Sequence, residues 1–179
     1  DVNDKRNDRE NQELGDLILQ ITKGNTEAIG EIFKRVGSAM EAVASIYLKN
    51  AADVEDVVQD SLVTIVTKAS KFRENRNAKA WINTIVHNMA KNKLRYYGRH
   101  KESSLEDAHS LSTRYDEDTL IVREIFQTLS KAEKNLVIYR YWYRCSIAEI
   151  AAILHRPKST IQYRLEQLEE KIKKFYENE

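Results

Sequence analysis

The chain contains few of the residues that tight turns, disulfides and metal clusters require. Its 179 residues include one cysteine, one proline and five glycines. So little glycine and proline argues against a β-sandwich or a barrel, in which many tight turns need them. The single cysteine, Cys145, can form neither an internal disulfide nor a cysteine-based zinc cluster. We therefore expect a protein of the reducing cytoplasm.

Long apolar runs and motifs of catalysis are also missing. No stretch approaches the roughly eighteen uninterrupted apolar residues of a membrane span, and residues 1–12 (DVNDKRNDRENQ) lack the apolar core of a signal peptide. The sequence contains no glycine-rich phosphate loop, no paired-histidine motif and no cysteine cluster. These absences disfavour an enzyme, a metal site and a bound cofactor.

What is present is helical periodicity. Apolar residues make up 41% of the chain, which is too many for a wholly disordered protein, and they recur at intervals of three and four. The helices predicted for the first half are 13–22, about 26–48 with Asn25 as its cap, one that opens at Asp53, and about 78–97. We expect Phe33, Val66 and Leu94 on the buried stripes, and Lys79 and Asn83 on the outward face of the fourth helix.

Beyond residue 98 the periodicity lapses and then resumes. Residues 99–117 are rich in serine and charge, which predicts a flexible linker. Four further helices are predicted after it. We therefore expect an all-α protein with two helical domains, residues 10–98 and 118–179, joined by that linker.

Residues 146–170 carry a helix-turn-helix pattern. Ser146 with Glu149 three residues later forms a capping box, and Ala151 is small where a second helix would cross. Residues 155–157 (His-Arg-Pro) interrupt the helix, and Ser159 or Thr160 is the predicted cap of the next one. A short helix, a tight turn and a longer helix are typical of a module that binds duplex DNA.

The second helix of this pair has a polar outward face. Its N-terminal amides and dipole attract phosphate, and glutamine and arginine can read base edges in the major groove. The predicted DNA contacts are Lys158, Ser159, Thr160, Gln162, Tyr163, Arg164 and Gln167.

Acidic side chains share one face of the third predicted helix. Asp53, Asp56 and Asp60 lie three and four residues apart, with Gln59 beside them. Like charges at this spacing weaken a helix by roughly 0.2–0.5 kcal/mol per pair. The face is either simply solvated or a docking surface for a basic partner. A metal site is a poor interpretation because no histidine lies nearby in sequence.

Residues 68–101 are strongly basic, since ten lysines and arginines face one acidic residue, Glu74. Aromatic residues lie among these cations, a combination that suits nucleic acid. Lysine and arginine would follow phosphates, while Asn88 and Asn92 could bond base edges.

Three motifs in order resemble those of RNA polymerase sigma factors of the extracytoplasmic-function (ECF) type. Residues 53–60 (DVEDVVQD) look like the polymerase-binding motif of that family. Residues 80–82 (Ala-Trp-Ile), followed by Asn88 and Lys91, look like its promoter-melting helix. Residues 129–133 (LSKAE) and 146–151 (SIAEIA) resemble the start of its C-terminal helix-turn-helix.

The resemblance implies a sigma region 2 bundle followed by a sigma region 4 helix-turn-helix, with no catalysis of its own. It implies that core RNA polymerase is bound by Asp53, Asp56, Gln59 and Asp60. The −10 promoter element would be bound and melted by Arg73, Arg76, Lys79, Asn88, Lys91, Asn92 and Arg95. The −35 element would be bound by the helix-turn-helix.

Two further expectations accompany this assignment. Members of the family are commonly held inactive by an anti-sigma factor, which is therefore an expected partner besides core polymerase and promoter DNA. The alternative is a stand-alone transcriptional regulator that binds duplex DNA through its helix-turn-helix without polymerase.

Overall fold

The computed structural model describes residues 2–100 and 124–177. Within these ranges every regular element is helical, so the prediction of an all-α protein is confirmed. The chain divides into two units, Asp1–Leu111 and Ser112–Glu179. Most of the predicted linker (residues 101–117) and the first predicted helical residues after it (118–123) lie outside the described residues.

Four helices form the N-terminal unit. They are α1 (Val2–Thr22), α2 (Ala28–Tyr47), α3 (Ala51–Lys68) and α4 (Ala78–Arg99), with a 3-10 turn (Ala69–Lys71) after α3. All four contribute side chains to one core, whose least exposed large members are Leu14, Ile18, Ile32, Met40, Val43, Val57, Ile65, Ile82 and Val86. Each such aliphatic side chain contributes about 1.5–3 kcal/mol when it leaves water.

Helix α1 begins eleven residues before its predicted start at Glu13. Its first half carries no apolar stripe, so periodicity alone misses it. The added turns are held by ion pairs one turn apart, Arg6–Glu10 at 3.4 Å and Arg9–Glu13 at 2.9 Å. These turns also reach α4, because the Asn11 side-chain oxygen accepts a hydrogen bond from a backbone amide there at 3.1 Å.

The caps of α2 and α3 differ from those predicted. Asn25 does not cap α2, because its side-chain amide donates to Gln20 Oε1 at 3.0 Å, and α2 begins after Glu27. Asp53 does not open α3. Asn50 does so instead, with its side-chain oxygen accepting from Ala52 N at 2.8 Å, and Asp53 lies in the first turn.

Three large apolar residues that were predicted to be buried are exposed, among them Val66 on α3 at 38%. Phe33 is 44% exposed, and its ring lies over Gly37, one turn later on the same helix, where a methyl group would come within 2.8 Å of it. Leu94 is also 44% exposed, since α4 runs to Arg99 and most side chains of its last turns face solvent. All three predictions of burial are wrong.

The C-terminal unit contains a helical segment at 124–128 and three longer elements. Helix α5 (Lys131–Val137) continues into a π-helical turn (Ile138–Trp142) and is followed by α6 (Ile147–Leu154) and α7 (Lys158–Glu177). The buried side chains that join them include Leu136, Ile138, Ile150, Ile161, Leu165 and Leu168.

Reciprocal capping boxes start α5 and α6. The Ser146 hydroxyl accepts from Glu149 N at 3.1 Å while the Glu149 carboxylate accepts from Ser146 N at 2.8 Å, as the sequence predicts. Ser130 and Glu133 repeat this arrangement at α5. Each box satisfies two backbone amides that a helix start otherwise leaves without partners.

The turn between α6 and α7 is short. His155 takes a left-handed conformation (φ 51°) that ends α6. Helix α7 begins directly after Pro157, whose carbonyl accepts from Thr160 N at 3.0 Å. Ser159 and Thr160 therefore lie inside the first turn, and the prediction that one of them caps α7 is wrong.

Replacing Ile82 with alanine should strongly destabilise the N-terminal unit. Ile82 is fully buried, so Ile82→Ala leaves a cavity and is expected to cost about 2–5 kcal/mol of unfolding free energy. Val63→Ala, at a side chain 62% exposed on α3, is the matched control and should cost far less. Urea unfolding followed by Trp81 fluorescence in a Trp142→Phe background measures both. Equal losses would contradict the assignment of the core.

The Glu133 carboxylate should make the C-terminal unit sensitive to acid. Its hydrogen bond from the Ser130 backbone, aided by Lys171 at 3.1 Å, lowers the pKa of Glu133. A lowered folded-state pKa gives stability that is present above about pH 4.3 and lost as the pH falls through the folded-state pKa. Urea unfolding of Glu133→Gln, followed by Trp142 fluorescence in a Trp81→Phe background, should show a deficit at pH 7 that shrinks towards pH 3. Glu170→Gln is the control, and a deficit independent of pH would contradict this.

Candidate nucleic-acid and partner interfaces

The acidic face of α3 is only partly free. Asp56 is 64% exposed, and Gln59 and Asp60 are exposed as well. Asp53 differs because its side chain is only 20% exposed and turns towards α4. The four residues that the sequence groups together therefore include three that a partner could reach and one that faces the neighbouring helix.

Two side chains of α4 contact this acidic face. The Lys93 ammonium lies 3.1 Å from Asp53 Oδ1 and 3.0 Å from Asp56 Oδ2. The Tyr97 hydroxyl donates to Asp53 Oδ1 at 2.8 Å. Sequence reasoning missed both partners. Lys93 and Tyr97 are four residues apart on α4, and Asp53 and Asp56 are three residues apart on α3, so each pair lies on one face of its helix. This correspondence predicts a contact only once α3 and α4 are known to be neighbours.

The pKa directions agree with this geometry. Burial lowers the pKa of Lys93, but its hydrogen bonds to Asp56 and Asp53 outweigh burial and leave that pKa raised. The hydrogen bond to Asp53, with burial, raises the pKa of Tyr97. Near neutral pH Lys93 is therefore an ammonium and Tyr97 a neutral phenol.

The loop before α4 holds basic residues beside a packed aromatic pair. Phe72 is buried, and its ring meets that of Trp81 edge to face with centroids 5.3 Å apart. Trp81 is half-buried and is thus packed against the protein. In the loop after Phe72, the Arg73 carbonyl accepts a hydrogen bond from Arg76 N at 2.9 Å and closes a turn. The side chains of Arg73 and Arg76 are both exposed.

Lys79 and Asn83 do not face outward as predicted. Lys79 is 3% exposed and Asn83 is 2% exposed. The unforeseen first half of α1 contacts Lys79. Glu10 Oε2 lies 3.9 Å from the Lys79 ammonium, and Asn11 accepts from the Lys79 backbone amide. The predicted outward placement of both residues is wrong.

The remaining predicted contacts on α4 lie at its surface. Asn88, Lys91, Asn92 and Arg95 are all exposed. His87 is half-buried instead, with its Nδ1 atom 2.7 Å from the Tyr47 hydroxyl of α2. Cations and amides at intervals of three and four therefore share the exposed surface of the helix, an arrangement that can follow phosphates and bond bases.

The predicted recognition residues of α7 are also accessible. Thr160 is half-buried, and the other six are exposed: Lys158, Ser159, Gln162, Tyr163, Arg164 and Gln167. Ala151 on α6 is 7% exposed, consistent with its predicted place at the helix crossing. The Gln162 amide donates to Glu166 Oε1 at 3.1 Å, which leaves its side-chain oxygen as an acceptor.

Other kinds of site find no support in the described part of the chain. Among residues 2–100 and 124–177, no three side chains of the metal-binding types come together as a metal ion would require. No helix in those ranges is both long enough and apolar enough to cross a bilayer.

Comparisons with known proteins match both units. Models for sigma-70 region 2 and for sigma-70 region 4 match residues 32–100 and 119–172. The ECF RNA polymerase sigma factor SigM of Mycobacterium tuberculosis is 24% identical over 161 residues, 89% of this chain and 81% of the relative. The ECF RNA polymerase sigma-E factor of Salmonella typhimurium is 27% identical over 173 residues, 87% of this chain and 90% of the relative.

A solved structure shows the same fold. It is the co-crystal structure of the sigma factor RpoE with the anti-sigma factor NepR from Bartonella quintana, with a TM-score of 0.64 and 23% identity. The alignment covers 83% of this chain and 96% of that one. These findings do not favour a stand-alone regulator. With region 2 and region 4 sequences in that order, the chain belongs to the ECF RNA polymerase sigma factors.

Proposed function

We propose that this sigma factor uses three separate binding surfaces. Helix α3 docks on core RNA polymerase, α4 with its preceding loop binds the −10 element, and α7 binds the −35 element. The observation that carries the proposal is the separation of charge within the N-terminal unit. Exposed carboxylates lie on α3, whereas exposed cations and amides lie on α4. One unit can thus contact a basic protein surface and a DNA strand at the same time.

The docking surface centres on Asp56, Gln59 and Asp60, with Asp53 at its edge. Its partner is a basic coiled coil of the largest polymerase subunit, which is the partner that the family resemblance implies. The exposure of Asp56 and Asp60 supports this role, because rim charges of opposite sign steer association and set register.

The −10 contacts are proposed to be exposed residues on either side of the Phe72–Trp81 pair. Arg73 and Arg76 supply charge at the loop, and Asn88 supplies a hydrogen-bonding edge for an unstacked base. The surface continues along α4 through Lys91, Asn92 and Arg95. Lys79 is left out of this proposal because its ammonium is buried beside Glu10.

The −35 contacts are proposed to lie on α7, within the helix-turn-helix. Lys158 and Ser159 in the first turn would contact phosphate, while Arg164 and Gln167 would read base edges in the major groove. Gln162, Tyr163 and the half-buried Thr160 complete the set that the sequence predicts.

The setting of this function follows from the family. We propose that the chain acts by binding, without catalysis of its own, in the cytoplasm where RNA polymerase works. An anti-sigma factor is a further proposed partner, because the Bartonella quintana sigma factor with the same fold was crystallised with one.

Reversing the charge of the docking face should abolish polymerase binding without unfolding the protein. Asp56→Arg combined with Asp60→Arg places two cations against a basic partner, and both positions are exposed. Co-purification with core polymerase should fall below detection, with the helical circular dichroism unchanged. The control is Asp16→Arg with Glu27→Arg, which makes the same charge change at exposed positions outside α3. Unchanged co-purification of the α3 variant would reject the docking surface.

Removing one recognition side chain should affect one promoter element. Arg164→Ala is expected to weaken selection of the −35 element by about 1–3 kcal/mol, the value of a bidentate contact to a base. Opening of the −10 element should change little. Transcription by the holoenzyme on promoters mutated in either element measures both effects. Lys174→Ala, an exposed cation ten residues further along α7, is the control. Equal loss at the two elements would contradict the division of labour.

A further inference from the structure

Lys93 on α4 contacts two carboxylates of the acidic face of α3. Its ammonium lies within 3.1 Å of carboxylate oxygens on both Asp53 and Asp56. Lys93 is 21% exposed, as buried as Asp53, whereas Asp56 is mostly exposed. One ammonium is therefore shared between a carboxylate enclosed at the helix contact and a carboxylate open to a partner.

We propose that Lys93 is an intramolecular counter-ion of the docking surface, which weakens the binding of a basic partner to Asp56. This inference rests on the proposed docking of α3 on core polymerase. Lys93 is a positioning residue in this role, because it acts through Asp56.

Asp53 serves to hold Lys93 in place. It is enclosed by Lys93 at 3.1 Å and by the Tyr97 hydroxyl at 2.8 Å, so both neighbours on α4 bond the same carboxylate oxygen. Because the Asp53 carboxylate already has these two partners and is only 20% exposed, a cation of a partner protein can hardly reach it. The four acidic-face residues predicted from sequence thus divide into one internal anchor, Asp53, and three contacts.

The direction of the effect follows from the charges. The two carboxylates and one ammonium sum to one negative charge, whereas the carboxylates alone would carry two. If a cation of the partner binds Asp56 at roughly 5 Å from the Lys93 ammonium, the two cations repel each other. In a medium close to water this repulsion corresponds to about a fourfold loss of affinity, and salt screens it.

Lys93 also holds the Asp56 side chain in one conformation, and losing this order on substitution is a smaller effect that opposes the gain in affinity. Without Lys93 the Asp56 side chain regains rotamer freedom, which weakens binding. Asp56 is a short side chain on a formed helix, and at 64% exposure it is already mostly free, so little order remains to be lost. The charge effect should therefore set the sign.

The test measures affinity and stability in the same variants. Lys93→Met should bind bacterial core RNA polymerase, free of other sigma factors and of DNA, about fourfold more tightly at low salt. The gain should shrink as salt is added. Thermal unfolding of the same variant should occur at lower temperature, because Asp53 loses its ion pair. A purely structural role would not produce tighter binding together with lower stability.

Matched variants separate charge from size and position. Lys93→Arg keeps the cation and should bind like the native chain. Lys34→Met removes the same charge from an exposed site on α2 and should leave affinity unchanged. Lys93→Gln keeps hydrogen-bond donors without the charge, should show the same gain, and replaces the methionine variant if that fails to fold.

The outcomes distinguish this inference from the docking proposal. If the native chain binds core polymerase while Lys93→Met and Lys93→Gln bind equally well or more weakly, the counter-ion role is wrong and docking stands. If Lys34→Met gains as much as Lys93→Met, the effect is one of net charge and the role is also wrong. If the native chain does not bind core polymerase, docking fails and this inference fails with it.

Discussion

Packing of α3 against α4 is the constraint on which the N-terminal unit depends. Val57 and Ile65 on α3, with Ile82 and Val86 on α4, are almost fully removed from water. Each contributes about 1.5–3 kcal/mol, whereas an exposed ion pair contributes about 0–1 kcal/mol. Hydrophobic burial therefore sets the rotation of both helices. The charged positions can then differ between the helices without loss of the fold, which allows acidic and basic surfaces to coexist on one small bundle.

Apolar periodicity predicts these helices well and predicts polar extensions poorly. Two errors on separate elements have one cause. The first half of α1 lacks an apolar stripe, so it was not foreseen, and because it was not foreseen, Lys79 was placed at the surface that α1 in fact covers. A single-helix pattern reports which face is apolar. It does not report that a polar helix from elsewhere in the chain will cover a lysine.

The candidate sites show a similar division between local and non-local information. The helix-turn-helix was predicted in most of its detail because its determinants are local, and the Ser146–Glu149 box forms as expected. The acidic face of α3 was identified from spacing alone, but Asp53 could not be separated from Asp56. That separation depends on which residues of α4 lie opposite, and helix neighbours are fixed by packing over the whole unit and not by the pattern of either helix.

One acidic residue of α7, Glu169, is compatible with a DNA-binding face because it bonds another element of the unit. Glu166 accepts a hydrogen bond from Gln162, and Glu169 accepts one from the Tyr141 hydroxyl of the π-helical turn at 3.1 Å. That second bond directs Glu169 towards the body of the unit. Arg164 carries its charge on an exposed part of the helix. Negative charge on a recognition helix repels phosphate only where it points at the groove, so side-chain direction decides more than the sum of charges along the helix.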